Sequence, residues 1–279
     1  MIAVRAAALL LTSLAACGRL GFDGAPGSDA DPPDASPGCA GPDEDGDGIG
    51  DACDNCPMVA NGDQADGGEL AANAAPDGVG DDCDPRPSLG GDRLAFFDGF
   101  SSLVEGQYTF FNDAMVADGD LWLATGLGTG YAAFVGPAEF SRATWHVAID
   151  GAAPVDTQWT GLWTHIDGTL SEAVFAAGED KSDAAPAQFG VKEAAGGNDR
   201  YSPDVAAIDS FGPDQAFTMT FDTNLVTGGD ARLSVVNDAV PGDVLVTELD
   251  VLRAQTGAFE FESSAIASRI SAVAVYARD

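Results

Sequence analysis

The densest chemistry in the chain lies in Asp43-Glu44-Asp45-Gly46-Asp47-Gly48-Ile49-Gly50-Asp51-Ala52-Cys53-Asp54. Counted as a twelve-residue loop, this run puts Asp43, Asp45 and Asp47 at positions 1, 3 and 5, Gly48 at 6, Asp51 at 9 and Asp54 at 12. Carboxylates so close together repel strongly. A hard divalent ion that takes six to eight oxygen ligands offsets the repulsion and tolerates irregular geometry. The spacing therefore points to Ca2+, with the main-chain carbonyl of Ile49 as the position-7 ligand; Mg2+ wants fewer protein ligands and keeps its waters. Gly46 and Gly48 let the chain wrap tightly around the ion.

The elements around the loop are not those of an EF-hand, which needs a helix on each side. Here Asp54-Asn55-Cys56-Pro57 and Cys83-Asp84-Pro85 flank the acidic runs. The stretch from Gly50 through Cys53-Asp54-Asn55-Cys56-Pro57 to Asn61-Gly62-Asp63-Gln64-Ala65-Asp66 instead resembles the thrombospondin type 3 repeat, over about residues 39 to 86. That resemblance implies calcium-filled aspartate loops with little regular structure, laced by disulfides. It also implies Cys39 with Cys53 and Cys56 with Cys83, one of three connectivities that four cysteines allow. Independently, a module so poor in apolar surface calls for cross-links, each contributing roughly 2–4 kcal/mol. The rival is a zinc site built from the same four cysteines, to which the hard oxygen surroundings are ill suited.

A second loop departs from the repeat pattern. With Asp84 at position 12, Asp81 falls at 9, Val79 at 7, Gly78 at 6 and Asp77 at 5, but Ala75 falls at 3 and Asn73 at 1. The run Gly67-Gly68-Glu69-Leu70-Ala71-Ala72-Asn73-Ala74-Ala75-Pro76 separates Asp66 from Asp77 where the family keeps an unbroken aspartate string. A second, weaker site is expected from Asp66, Asn73, Asp77, Val79, Asp81 and Asp84, with Asp66 or Glu69 folding back to fill the gap.

Upstream, Arg5 followed by Ala6-Ala7-Ala8-Leu9-Leu10-Leu11 reads as an export signal over residues 1–16, too short to span a bilayer. Leu14-Ala15-Ala16-Cys17 resembles the bacterial lipobox, which implies acylation of Cys17 and a membrane anchor. Gly18 in place of aspartate leans towards the outer membrane by resemblance to the enterobacterial sorting pattern. Residues 17–38, with Asp31-Pro32-Pro33-Asp34 at their centre, offer no apolar face and read as a tether. Of the five cysteines, Cys17 taken by lipid leaves four to pair, as an oxidising compartment permits.

With 45 acidic against 12 basic side chains, the formal charge of -33 argues against nucleic acid as a partner. Hydrophobic residues at 45% exclude a wholly disordered chain, while 35 glycines and 15 prolines favour turns over long helices.

Downstream of the acidic module, residues 39–92, short apolar runs recur between turn signals from Leu94 to Tyr276 and read as about a dozen strands. Asp98-Gly99, Asp118-Gly119, Asp150-Gly151 and Asp167-Gly168 are the natural hairpin turns, and Val205 to Ile208 reads as a helical turn. The fold class is mainly β: an irregular calcium and disulfide module followed by an antiparallel two-sheet β-sandwich over residues 93–279. Phe97-Asp98-Gly99-Phe100, Gly119-Asp120-Leu121-Trp122-Leu123 and Ile270-Ser271-Ala272-Val273-Ala274-Val275-Tyr276 are similar in pattern to concanavalin A/laminin G jelly rolls, which implies a domain that binds glycans or proteins or hydrolyses polysaccharides.

Catalytic signals are sparse. Glu248-Leu249-Asp250-Val251-Leu252-Arg253 resembles the paired-carboxylate strand of laminarinase-like glycosidases, but Arg253 stands where the acid belongs. His146 and His165 lack a nucleophile elbow to serve, and Gly126-Leu127-Gly128-Thr129-Gly130 precedes no helix. Binding is better supplied: Trp159, Trp163 and His165 share one strand face by the period of two, and Trp122 lies beside Asp120. Trp145 shares its face with Val147 and Ile149 and reads as core. The expectation is a non-enzymatic, calcium-binding surface lipoprotein whose spacer presents a sandwich to a glycan or a surface protein. The alternatives are a polysaccharide hydrolase and a purely structural envelope subunit.

Overall fold

The computed structural model describes residues 39–101, 107–123, 129–136, 139–149, 158–166, 169–180, 187–195, 200–202, 205–208, 215–223, 226, 230–250, 255–264 and 267–279. Cys17 with its leader and tether, and the pairs Asp150-Gly151 and Asp167-Gly168, lie outside the described residues, as do Arg253 and most of the Gly126 to Gly130 run.

Among the described residues, sixteen strands follow one short 3-10 turn, Gly68–Ala72. The strands are β1 (Asp92–Asp98), β2 (Tyr108–Phe111), β3 (Met115–Ala117), β4 (Asp120–Leu123), β5 (Thr129–Val135), β6 (Arg142–Ile149), β7 (Gln158–Ile166) and β8 (Thr169–Asp180). They continue as β9 (Ala187–Ala195), β10 (Arg200–Tyr201), β11 (Val205–Ile208), β12 (Gln215–Asp222), β13 (Asp230–Asn237), β14 (Val240–Asp250), β15 (Gln255–Ser264) and β16 (Ser268–Arg278). Sheet I runs β14-β13-β12-β6-β16-β4-β3, with β1 also on β16; sheet II runs β10-β9-β8-β7-β15-β5-β2, with β11 also on β9. Every pairing is antiparallel.

Period-two alternation decides what fills the space between the sheets. From sheet I, Leu121, Leu123, Trp145, Val147, Ile149, Phe217, Met219 and Phe221 point inward; from sheet II, Phe134, Leu162, Phe189, Phe259 and Phe261 meet them. Trp145 is wholly buried and lies 6.1 Å from Phe261, ring centre to ring centre, so it fills core as its neighbours suggested.

Two local expectations change. Val205–Ile208 is strand β11 on β9, because a four-residue apolar stretch gains more from an open sheet edge than from one unpropagated helical turn. Asp118-Gly119 does turn a hairpin between β3 and β4, both residues at positive φ. Asp98-Gly99 does not: β1 and β2 belong to different sheets, and Asp98 instead accepts from the Phe100 amide (2.7 Å) and the Tyr108 hydroxyl (2.8 Å), pinning the crossover.

Residues 39–92 do not stand apart from the sandwich. A second apolar cluster joins Cys56, Met58, Val79 and Cys83 to Ala272, Ala274 and Tyr276 on the outward face of β16, with Leu94 and Phe97 beside them. Arg142 of β6 extends this seam, donating to the carbonyl of Cys83 (3.0 Å) while pairing with Asp222 (2.6 Å). The acidic module therefore packs on the outward side of β16 and β1, with Arg142 of β6 at its edge. It is docked on the body rather than held away from it.

Candidate functional site

The cysteines pair as the repeat resemblance implied, Cys39 with Cys53 and Cys56 with Cys83. Between these cross-links the loop at Asp43 to Asp54 closes on itself through its own carboxylates. Asp43 accepts from the amides of Gly46 (2.9 Å) and Gly48 (3.0 Å), Asp45 from Asp47 (3.1 Å), and Asp47 from Ile49 (2.8 Å). Asp51 accepts from the Glu44 amide (3.1 Å), and Asp54 from the Cys56 amide (2.7 Å) and the Gln64 side chain (2.8 Å). Gly46 and Gly48 have φ of +75° and +95°, a region L side chains seldom enter.

Ligand oxygens of Asp43, Asp45 and Asp47 lie within 4.8 Å of one another. Oδ2 of Asp45 is buried with no hydrogen-bond partner. Burial first, then the neighbouring Asp54, Asp47 and Asp43 charges, push the Asp45 carboxyl up to about 6 against the hydrogen bond it accepts. Burial likewise raises Asp51 and Asp54. Such a carboxylate cage fits a hard cation: oxygens crowded and partly desolvated, with no ammonium or guanidinium among these ligands to neutralise them.

The second group of expected ligands is only partly brought together. Oxygens of Asp66, Glu69 and Asp77 fall within 4.8 Å, as do those of Asp77, Asp84 and Asp92. Asp84 is pushed up to about 7, by burial first and then by the Asp77 and Asp92 charges. Asn73 is not with them. It is the left-handed cap of the 3-10 turn (φ 61°), exposed, because the inserted segment turns away before reaching the loop. Asp81 faces the start of that turn, accepting from the amides of Gly67 (3.0 Å) and Gly68 (2.8 Å).

The aromatic group divides between the two sheets. Trp122 lies on the outward side of β4 in sheet I, its indole N–H donated to the Ala117 carbonyl (3.0 Å) and the Arg269 guanidinium 5.7 Å over its ring. Trp159, Trp163 and His165 are on β7 in sheet II. The side chains of Trp159 and His165 lie outside those described; Trp163 lies between the inward Leu162 and Thr164 and so faces outward.

Around Trp163 the strand register assembles a surface that spacing alone did not reveal. One row runs Phe111, Tyr131, Glu262, Gly161; the next runs Thr109, Ala133, Glu260, Trp163. Phe111 and Tyr131 stack with ring centres 4.3 Å apart. Glu260 and Glu262 alternate with the core residues Phe259 and Phe261, so both carboxylates emerge on the Trp163 side. Burial raises both; Glu262 reaches about 7, with the Glu260 charge adding to the rise and hydrogen bonding from Trp163 opposing it. The signal was present in Phe259-Glu260-Phe261-Glu262, an alternation that fixes which face the acids take.

On the other polar strand considered above, Glu248 and Asp250 both emerge on the exposed side of β14, either side of buried Leu249. Glu248 is exposed on β14, 3.7 Å from Arg232. His146 is held below its ordinary value by burial.

No protein-family model matches the chain, and no curated relative does. Solved structures do share its fold. The CBM2 module of the evolved Dit of Lactobacillus casei BL23 phage J-1 superposes with a TM-score of 0.55 at 8% identity, over 67% of this chain and 96% of that one. A non-specific endo-β-1,3(4)-glucanase of family GH16 gives 0.47 at 11% identity (68% and 93%), and peanut lectin 0.45 at 14% (66% and 96%). The sheet order above and the first of these likenesses give the class of fold: an antiparallel, two-sheet jelly-roll β-sandwich.

Proposed function

We propose that this chain is a calcium-binding, lipid-anchored envelope protein whose sandwich recognises a glycan through the outward face of sheet II. The observation that carries the reading is the Trp163, Glu260, Glu262, Phe111 and Tyr131 surface, where exposed or half-exposed rings flank two carboxylates. Sugar rings present apolar C–H faces that stack on aromatics and hydroxyl pairs that donate to carboxylates, so this mixture suits a saccharide better than an apolar ligand. The sandwich shared with a CBM2 module supports the same ligand class. Calcium in the Asp43 to Asp54 loop would stabilise the module packed on β16 of sheet I, away from the outward face of sheet II.

The test is a glycan array probed with the full chain in detergent, followed by titration of the best ligand against Trp163→Ala. Binding that falls roughly tenfold is expected from one lost stacking contact. An array with no ligand, or a variant that binds as well as the parent, would sink the reading.

The Glu260 and Glu262 pair also favours a second reading, a polysaccharide hydrolase with Glu262 as the general acid held protonated near neutrality and Glu260 as the nucleophile. Release of reducing sugar that is lost in Glu262→Gln while binding persists would decide for it.

A further inference from the structure

Despite the insertion after Asp66, four hydrogen bonds of the first loop have counterparts in the second. Asp43 accepts from Gly48 N–H in the first loop (3.0 Å), and Asp66 from Gly78 N–H in the second (2.9 Å). Asp47 accepts from Ile49, and Asp77 from Val79 (2.8 and 3.1 Å). Asp51 accepts from Glu44, one residue past Asp43, and Asp81 from Gly67, one residue past Asp66 (3.1 and 3.0 Å). Asp54 and Asp84 each accept from the amide two residues on, both at 2.7 Å. Gly48 and Gly78 share φ of +95°. Asp66 thus takes position 1, and the insertion loops out between positions 3 and 5.

Position 3 belongs to Asp45 in the first loop, and in the second the side chain in its place is Glu69. It is 0% exposed, and neither Oε1 nor Oε2 has a hydrogen-bond partner. Oδ1 of Asp66 and Oδ2 of Asp84 are also buried and unpartnered. Arg86 pairs with both oxygens of Asp92 at 2.9 Å and makes no hydrogen bond to these oxygens. Charged carboxylate oxygens converging in a dry space are strongly unfavourable unless a cation or a shared proton joins them, and a proton shared by Glu69 and Asp84 would leave the other oxygens unserved. We infer that Asp66, Glu69, Asp77 and Asp84 form a second hard-cation site of calcium type, with the Val79 carbonyl in the place Ile49 holds in the first. Asp77 also accepts from the amides of Gly91 and Asp92 (2.9 and 2.7 Å), so the ion would tie the module to the first strand of the sandwich. Only the choice of ion rests on the calcium reading above; the site stands on Glu69.

Calcium titration calorimetry on the full chain in detergent, with melting in calcium and in EGTA, tests this. The parent should bind two ions, Glu69→Gln one, and Asp45→Ala/Asp47→Ala one. Glu69→Gln should melt below the parent in calcium, and at or above it in EGTA, where the change only removes a buried charge. A Glu69→Gln chain that still takes two ions, or that melts above the parent in both buffers, overturns the second site and leaves the first standing. Loss of an ion in Glu69→Gln but none in Asp45→Ala/Asp47→Ala has the reverse meaning. Asp66→Asn, at a partly exposed ligand, repeats the measurement without disturbing the packing around Glu69.

Discussion

Glu262 shows how far neighbours can move one side chain's chemistry. Its carboxyl titrates near 7 rather than 4.5 because the charged form is desolvated and faces Glu260. An acid whose folded pKa is raised holds its proton more tightly in the fold, so its contribution is full below 4.5 and declines as pH rises towards 7. The difference in melting temperature between Glu262→Gln and the parent should therefore be near zero at pH 4 and favour the variant at pH 8. A difference that is flat with pH would mean the carboxylate is solvated. At this scale the clustering of Asp43, Asp45 and Asp47 was legible because the three carboxylates are nearly contiguous in the chain. Glu69 was legible only as an alternative to Asp66, because an insertion broke the count; and the Glu260 and Glu262 pair was visible only once the strand's inward phenylalanines gave it a face.

At the scale of elements, hydrophobic alternation marked the main strands, since each has one face in a shared core. It missed β3, β10 and β11, edge pieces of three, two and four residues, too short to display an alternation. The 3-10 turn Gly68–Ala72 was equally unreadable, since it is held from outside by Asp81 and by close packing on Pro87. A Cβ on Gly68 would lie 1.9 Å from the Pro87 carbonyl oxygen, a backbone atom that cannot swing aside. Gly68→Ala should destabilise the chain by about 1–3 kcal/mol, the usual range for overpacking, in a denaturant titration. An unchanged midpoint would show that the turn, and Glu69 with it, is not held where the structure places it.

For the whole molecule, the largest revision concerns the acidic module. Composition made it a spacer, because so many aspartates and so few apolar residues offered little to bury. Its few apolar groups are concentrated on one side, however, and Met58, Val79 and the Cys56–Cys83 disulfide set them on Ala272, Ala274 and the fully buried Tyr276. A module docked this way shares the sandwich's cooperativity, and an ion bound within it stabilises both parts by mass action. With a formal charge of -33 the compact state also works against its own repulsion, which bound cations relieve. All four tryptophans, Trp122, Trp145, Trp159 and Trp163, lie on sandwich strands, so their fluorescence reports that part alone. Adding EGTA should lower the temperature of the tryptophan transition even though no tryptophan is near a ligand loop in sequence. Met58→Ala should lower the stability read by the same signal by about 2–5 kcal/mol, the range for truncating a buried apolar side chain. If the module hung free on its tether, neither change would move that transition.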